Sequence, residues 1–200
     1  KSSKATSAIR EIVQHPTDAR WSSVVPSATS PGGRTLFVAL LINTPVKAIA
    51  DCANPGAQPS TVYRKPMLWV FGGLNGLGTE NGDVWVFDIT LATWERKQTV
   101  GPGPGPHSSA QGVEYGHHVV LFSGSLSGSG IWALNRRSLR WKEITPIMPP
   151  QAKGPVITRS LFAATQITLP ATRQPGFVVV GGKANGQPLN DVIQFVVEPD

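Results

Sequence analysis

One pattern recurs three times in this chain and constrains its fold more than any other feature. A hydrophobic strand ends in a pair of small residues, a polar loop follows, and an alternating strand comes next. From Met67 the sequence reads MLWVFGG, LNGLGTENG, DVWVFDI and TLATWERK. From His117 it reads HHVVLFSG, SLSGSG, IWALNR and RSLRWKEI, and from Gly176 it reads GFVVVGG, KANGQPLN and DVIQFVV. The small pairs are Gly72-Gly73, Ser123-Gly124 and Gly181-Gly182. Asp83 and Asp191 open the alternating strand in two copies, and Trp94 and Trp141 lie on a strand after it in two. Gly73 and Gly124 are 51 residues apart, Gly124 and Gly182 are 58 apart, and Trp94 and Trp141 are 47 apart. Self-similarity at such a period marks a sheet built as a repeated unit that buries its faces by stacking on its neighbours.

Composition supports strands over helices. Only 15% of residues are charged, against roughly 25% in a typical globular protein, and long surface helices need charge on their wet face. Glycine and proline, 21 and 18 of 200 residues, punctuate many short strands with turns. The longest apolar run, Leu36 to Ile42, falls far short of the ~20 residues that span a bilayer, so no membrane insertion is expected. A single cysteine, Cys52, and no Asn-x-Ser/Thr acceptor site point to a reducing intracellular compartment. The cytoplasm is favoured, with an organelle as the alternative, because Lys1 to Arg10 are Ser- and Lys-rich and lack acids, like the tail of a transit peptide. The net charge of +6 favours an acidic partner without choosing among protein, RNA and anionic surfaces.

The residues Phe71 to Trp94 carry a resemblance that can be named. The double glycine Gly72-Gly73, the run Asp83 to Asp88 (DVWVFD) and Thr93-Trp94 resemble a kelch repeat. The resemblance extends over roughly residues 20 to 197. It is weaker in the second copy, where Ser123 replaces a glycine and no acid precedes Ile131, and the third copy ends before its tryptophan strand. It implies an all-β kelch-like β-propeller, or an incomplete sector of about three four-stranded blades. Gly72, Gly73, Asp83, Trp94, Gly124, Trp141, Gly181, Gly182 and Asp191 are then structural: glycines for tight turns, aspartates bonding turn amides, tryptophans filling the wedge between blades.

The remaining segments can be placed on that frame. First strands are expected over Thr35–Ile42, Ser109–Tyr115 and Ser160–Ile167, each after a Pro/Gly-rich connector: SPGGR, GPGPGPH and KGPVITR. Arg20–Val25, with Trp21 in the place of Trp94 and Trp141, reads as a fourth strand. Either the chain ends pair to complete a shared blade, or the chain is a sector whose edge strands need further blades or a neighbouring chain. The second alternative is expected, since three blades close poorly. Residues 1–19 read as an extension, partly helical or disordered, with a short helix over Ala5–His15. Residues 20–200 read as the blades, with an insertion at 43–66. Thr44 as N-cap, Pro45 at the first helical position and a stop at Asn54-Pro55 predict a helix over Val46–Ala53.

Strands alternate in direction, which sorts the loops onto two faces. Loops 74–82, 125–130 and 182–190 share one polar, glycine-rich face with connectors 101–107 and 146–155. It resembles the face by which kelch domains grip peptides. The opposite face carries the insertion and turns 134–140 and 168–175. Its cations are Lys47, Arg64, Lys65, Arg136, Arg137 and Arg173, against fewer acids, chiefly Asp51, Asp88 and Glu114. These cations are the candidate partner-binding residues. Trp132 and Trp141 beside Arg136, Arg137 and Arg140 are the one aromatic-basic cluster suited to single-stranded RNA, although blade core explains the tryptophans more simply. No catalytic constellation, metal site or cofactor site is expected. The histidines His15, His107, His117 and His118 form no ligand set, no serine stands in a nucleophile-elbow context, and GPGPG lacks the amides a phosphate loop needs. The expected function is non-catalytic, a protein–protein interaction module or structural subunit of a larger assembly. The alternatives are a ribonucleoprotein component touching RNA through the basic face, and a kelch-type enzyme.

Overall fold

The computed structural model describes residues 9–13, 20–24, 29–47, 62–124, 129–147, 159–169 and 173–196. Among them the chain is all-β, with several antiparallel sheets. The strands are β1 Ile9–Val13, β2 Arg20–Val24, β3 Arg34–Thr35, β4 Val38–Lys47, β5 Val62–Phe71, β6 Leu74–Asn75, β7 Val84–Asp88 and β8 Thr93–Lys97. They continue with β9 Gln111–Tyr115, β10 His118–Gly124, β11 Ser129–Asn135, β12 Arg140–Ile144, β13 Ala163–Thr168, β14 Pro175–Ala184 and β15 Gln187–Val196. No helix among the described residues is long and apolar enough to cross a membrane.

Three antiparallel meanders dominate. The first runs β4-β5-β7-β8, the second β9-β10-β11-β12 and the third β13-β14-β15. Successive side chains leave a strand on opposite faces, so each meander can pack on two sides. One face of the first, including Val38, Ile42, Trp69, Phe71 and Val86, joins Val119, Leu121, Leu134 and Trp141 of the second in one buried cluster. The other face of the second, including Val113, Val120, Phe122 and Ile131, joins Phe162, Phe177 and Val179 of the third. The run Val119 to Phe122 therefore serves two interfaces, and a strand buried on both faces reads as continuously apolar. Phe71 stands edge-on to Trp141 at 6.3 Å, and Phe122 edge-on to Phe177 at 5.7 Å, as ring quadrupoles favour. A methyl on Gly112 would lie 2.7 Å from Val38 Cγ1, so the missing side chain lets β9 approach β4. Burying each large apolar side chain contributes roughly 1.5–3 kcal/mol.

Several local expectations give way to sheet pairing. Thr44 and Pro45 do not start a helix. They continue β4, which pairs with β5 as far as Lys47 opposite Val62. A short capped helix is marginal alone, and pairing with β5 supplies ladder hydrogen bonds to alternate residues of the segment as far as Lys47. Residues 48–53, with Asp51 and Cys52, lie outside the described residues. Ile9–Val13, expected in a helix, is a strand paired with β2 from Ile9 opposite Val24 to Val13 opposite Arg20. Arg20–Val24 is thus taken by β1 and joins no larger sheet among the described residues. The first strand of the first meander begins at Val38 rather than Thr35, because Leu36 turns the chain at φ +53°. Thr35 pairs instead with Leu74.

Candidate functional site

The loop face is built around a repeated ion pair. Arg34, just ahead of the first meander, lays its guanidinium along the carboxylate of Asp83. Nη1 donates to Oδ1 at 2.7 Å and to the carbonyl of Gly72 at 2.8 Å. Trp85 Nε1 donates to the same carboxylate at 2.6 Å. In the third meander Arg159 repeats the arrangement. Its Nη1 donates to Asp191 Oδ1 at 2.8 Å and to the carbonyl of Gly181 at 2.9 Å, and its Nη2 donates to Asp191 Oδ2 at 2.9 Å. The aspartates were expected to bond local backbone amides; each takes its own backbone amide and, in addition, an arginine. A carboxylate that faces a guanidinium fork gains two parallel charge-assisted hydrogen bonds, which one turn amide cannot match. Burial alone would raise the Asp83 pKa, but the hydrogen bonds from Arg34 and Trp85 and the charge of Arg34 hold it below its ordinary value. The hydrogen bond from Arg159 lowers that of Asp191.

The second meander departs from this pattern in both partners at once. His107 stands two residues before Ser109, as Arg34 and Arg159 stand before Leu36 and Leu161, and all three later residues have φ near +54° (53°, 55° and 54°). Gly130 precedes Ile131 where Asp83 precedes Val84 and Asp191 precedes Val192, and each of those valines and Ile131 faces the end of the preceding strand. His107 is buried. Its Nδ1 donates to the carbonyl of Gly105 at 2.8 Å, which leaves Nε2 unprotonated and without a hydrogen-bond partner. Burial pushes its pKa below the ordinary histidine value, partly opposed by the Gly105 carbonyl and the charges of Glu80 and Asp83. Its backbone ties the first two meanders together: Gly73 N donates to its carbonyl at 2.8 Å, and its own N donates to Asn81 O at 3.0 Å. Ser108 Oγ donates to Glu80 at 2.7 Å beside it.

These bonds brace a projecting loop. Asn75 Oδ1 accepts the amides of Leu77 at 2.9 Å and Thr79 at 3.0 Å, and Leu77 at the tip is 91% exposed. Sequence reasoning did not single out Arg34, His107 and Arg159 as a set. The signal was present, since the connectors SPGGR, GPGPGPH and KGPVITR end on these three residues.

On the opposite face the structure separates the six basic candidates. Lys65 forms an ion pair with Asp88. Arg136 donates to Glu114 at 2.7 Å and to the Gly116 carbonyl at 2.6 Å. Arg137 is exposed in a turn whose amides cap on Asn135 Oδ1 at 2.9 and 3.0 Å. Arg173 is exposed and its amide donates to Leu169 O at 2.8 Å. Lys47 and Arg64 sit across the β4–β5 hairpin, opposite Val62 and Pro45. Trp132 and Trp141 pack in the core between the first two meanders and form no stacking platform. No group of three potential metal ligands occurs among the described residues.

The class defined by these features is an all-β chain of stacked antiparallel meanders. Scanned against models of protein families, the chain matches none. The dynein alpha chain of the flagellar outer arm of Chlamydomonas reinhardtii is 28% identical over 151 residues, covering 72% of this chain and 3% of that protein. The chain thus spans a small fraction of the length of this relative. The solved structure of YjhT shares the fold, with a TM-score of 0.57 at 11% identity over 96% of this chain and 59% of that one.

Proposed function

We propose that the three meanders are blades of a kelch-like propeller sector that serves as a protein–protein interaction module in a large assembly. The observation that carries this reading is the loop face. Ion pairs and the Ser108–Glu80 bond hold strand entries and connectors in place, and the turn capped by Asn75 presents Leu77 to solvent. A rigid loop with an apolar tip suits gripping a polypeptide, because little ordering entropy is lost on binding. The stacked meanders, the small pairs and the 50-residue recurrence support the blade reading. The match to a dynein alpha chain named for the flagellar outer arm supports a place in a large assembly. The reading assigns no catalytic group and places the module in a reducing compartment inside the cell.

RNA is the competing acidic partner. Two of the six basic candidates already face acids of the same protein, which leaves Arg137 and Arg173 as its best contacts among the described residues. The test is affinity purification of the tagged chain from its own cells, with washes at about 0.1 and 0.5 M salt. A protein partner that survives the high-salt wash and falls several-fold with Leu77→Asp supports the module. Nucleic acid that washes off with salt and is lost with Arg137→Glu and Arg173→Glu, with no salt-stable protein, refutes it.

A further inference from the structure

In each of the first two meanders, one face is covered by the meander that follows. In the third, the corresponding face is open. Strand register identifies its members: Val38, Trp69, Phe71, Val84 and Val86 of the first meander correspond to Ala163, Val178, Val180, Val192 and Gln194 of the third. The first set is buried against the second meander. In the second set Val180 is 47% exposed and Val192 is 66% exposed. No residue of this set is charged.

Backbone features repeat along with the face. Gly72 and Gly73 have φ of +59° and +94°, and Gly181 and Gly182 have +60° and +101°. His107 of the following meander sits on Gly72, where a methyl would lie 2.5 Å from its carbonyl oxygen. At Gly181 the only described atom within 4 Å of such a methyl is Leu189 O at 3.2 Å, from the same meander. Leu36 O accepts the amide of Ser109 from the second meander at 2.9 Å. The third meander thus carries the largely apolar face and the glycine ledge that dock its neighbours elsewhere, with no occupant among the described residues.

We infer that this surface docks one further antiparallel sheet of the same repeat, supplied by polypeptide outside residues 1–200. The inference rests on reading the meanders as blades. The occupant's contact face is uncharged, aliphatic and aromatic, like Val119, Leu121, Leu134 and Trp141 of the second meander. Its chain enters over Gly181-Gly182 through a backbone carbonyl, as His107 enters over Gly72-Gly73. A second copy of the chain is a poor occupant. The side it would offer in head-to-tail stacking, Val70, Phe87 and Trp94, is already buried to 3%, 2% and 9% exposure. This chain covers 59% of the YjhT chain, which leaves length in that protein for further sheets.

Photo-crosslinking tests the inference. Benzoylphenylalanine replaces Val192, Val180 or Leu77 singly in the full chain expressed in its own cells, and captured peptides are read by mass spectrometry. The expected result is that the Val192 and Val180 probes capture one segment outside residues 1–200, with a small pair followed by an alternating strand. Val192→Asp then lowers co-purification of that polypeptide about tenfold, while the melting temperature of the chain stays within about 2 °C, since surface substitutions cost little. Cross-links to residues of a second copy overturn the inference, as does a segment without the repeat pattern. Capture at Leu77 with none at Val192 overturns it and leaves the loop-face module standing. Capture at Val192 with none at Leu77 sustains the docking surface and sinks the loop-face reading. No capture at any of the three overturns both.

Discussion

Removing the Asp83 carboxylate should be among the costliest single changes on the loop face. The Arg34 side chain is 5% exposed and that of Asp83 15%. Asp83→Ala leaves the guanidinium in place with two carbonyl partners and no counter-charge, and strips Trp85 Nε1 of its acceptor. Breaking a buried pair by removing one member costs about 3–5 kcal/mol, because the surviving charge stays desolvated. The same truncation at Asp191 also strands a buried cation, since the Arg159 side chain is 2% exposed, but the carboxylate lost is itself 43% exposed, so water can take its place and the cost should be smaller, about 1–2 kcal/mol. A double-mutant cycle with Arg34→Met and Asp83→Ala isolates the pair. Its coupling should be roughly 2–3 kcal/mol, near the upper end for residues in direct contact. Urea unfolding measures each corner, with unchanged m-values as the condition for comparing them. The Asp83 pKa lies below the ordinary aspartate value of 3.8. Its stabilisation is therefore fully present above pH 3.8 and is lost as pH falls below that value through the folded-state pKa. A coupling under about 0.5 kcal/mol, or equal costs for Asp83→Ala and Asp191→Ala, would refute the reasoning.

Further outcomes follow from the same contacts. Gly73→Ala should destabilise by roughly 2–4 kcal/mol in urea unfolding, because φ is +94° and the new methyl would lie 2.7 Å from Phe37 Cβ, which adds overpacking to left-handed strain. Gly32→Ala, at φ +69° with nothing within 4 Å, should cost only about 1–2 kcal/mol. His107 has a pKa below its unfolded value of 6.5, so the unfolded chain takes up a proton that the folded chain resists. Stability should fall as pH drops below 6.5, and His107→Gln should flatten a denaturant-midpoint profile between about pH 7.5 and 5. His107→Arg alone buries a charge without a partner and should cost about 3 kcal/mol or more. Adding Gly130→Asp, whose Cβ would lie 3.1 Å from Trp132 Nε1, should restore part of that loss in thermal melts by rebuilding the arrangement of Asp83, Trp85 and Arg34.

Strand pairing overruled two local signals in this chain, and the same physics explains which parts of the fold were legible. Thr44-Pro45 and the spacing of Ile9, Ile12 and Val13 both read as helix because capping and periodicity are properties of a few neighbouring residues. In the fold, Pro45 lies opposite Arg64 and Ile12 opposite Trp21. A partner strand supplies hydrogen bonds and packing that an isolated short helix lacks. The basic face was legible as a count of charges but not as a surface. Whether Lys65 and Arg136 are available depends on Asp88 and Glu114, which lie 23 and 22 residues away in sequence and reach them only across the sheet.

The sequence by itself determined that this chain repeats strands ending in small residues, and that the repeats must be sheets. Period-2 alternation, glycine pairs and turn residues act within a few residues, so they can be read without knowing the fold. Only the tertiary structure decided which connector residue meets which strand. Arg34 and Asp83 are 49 residues apart, and Arg159 and Asp191 are 32 apart. Nothing local links them, and their pairing exists because each meander returns its third strand beside the entry of its first. Stacking likewise decided that the face of Val180 and Val192 stays open while the matching faces before it are buried, because burial belongs to the neighbour as much as to the residue.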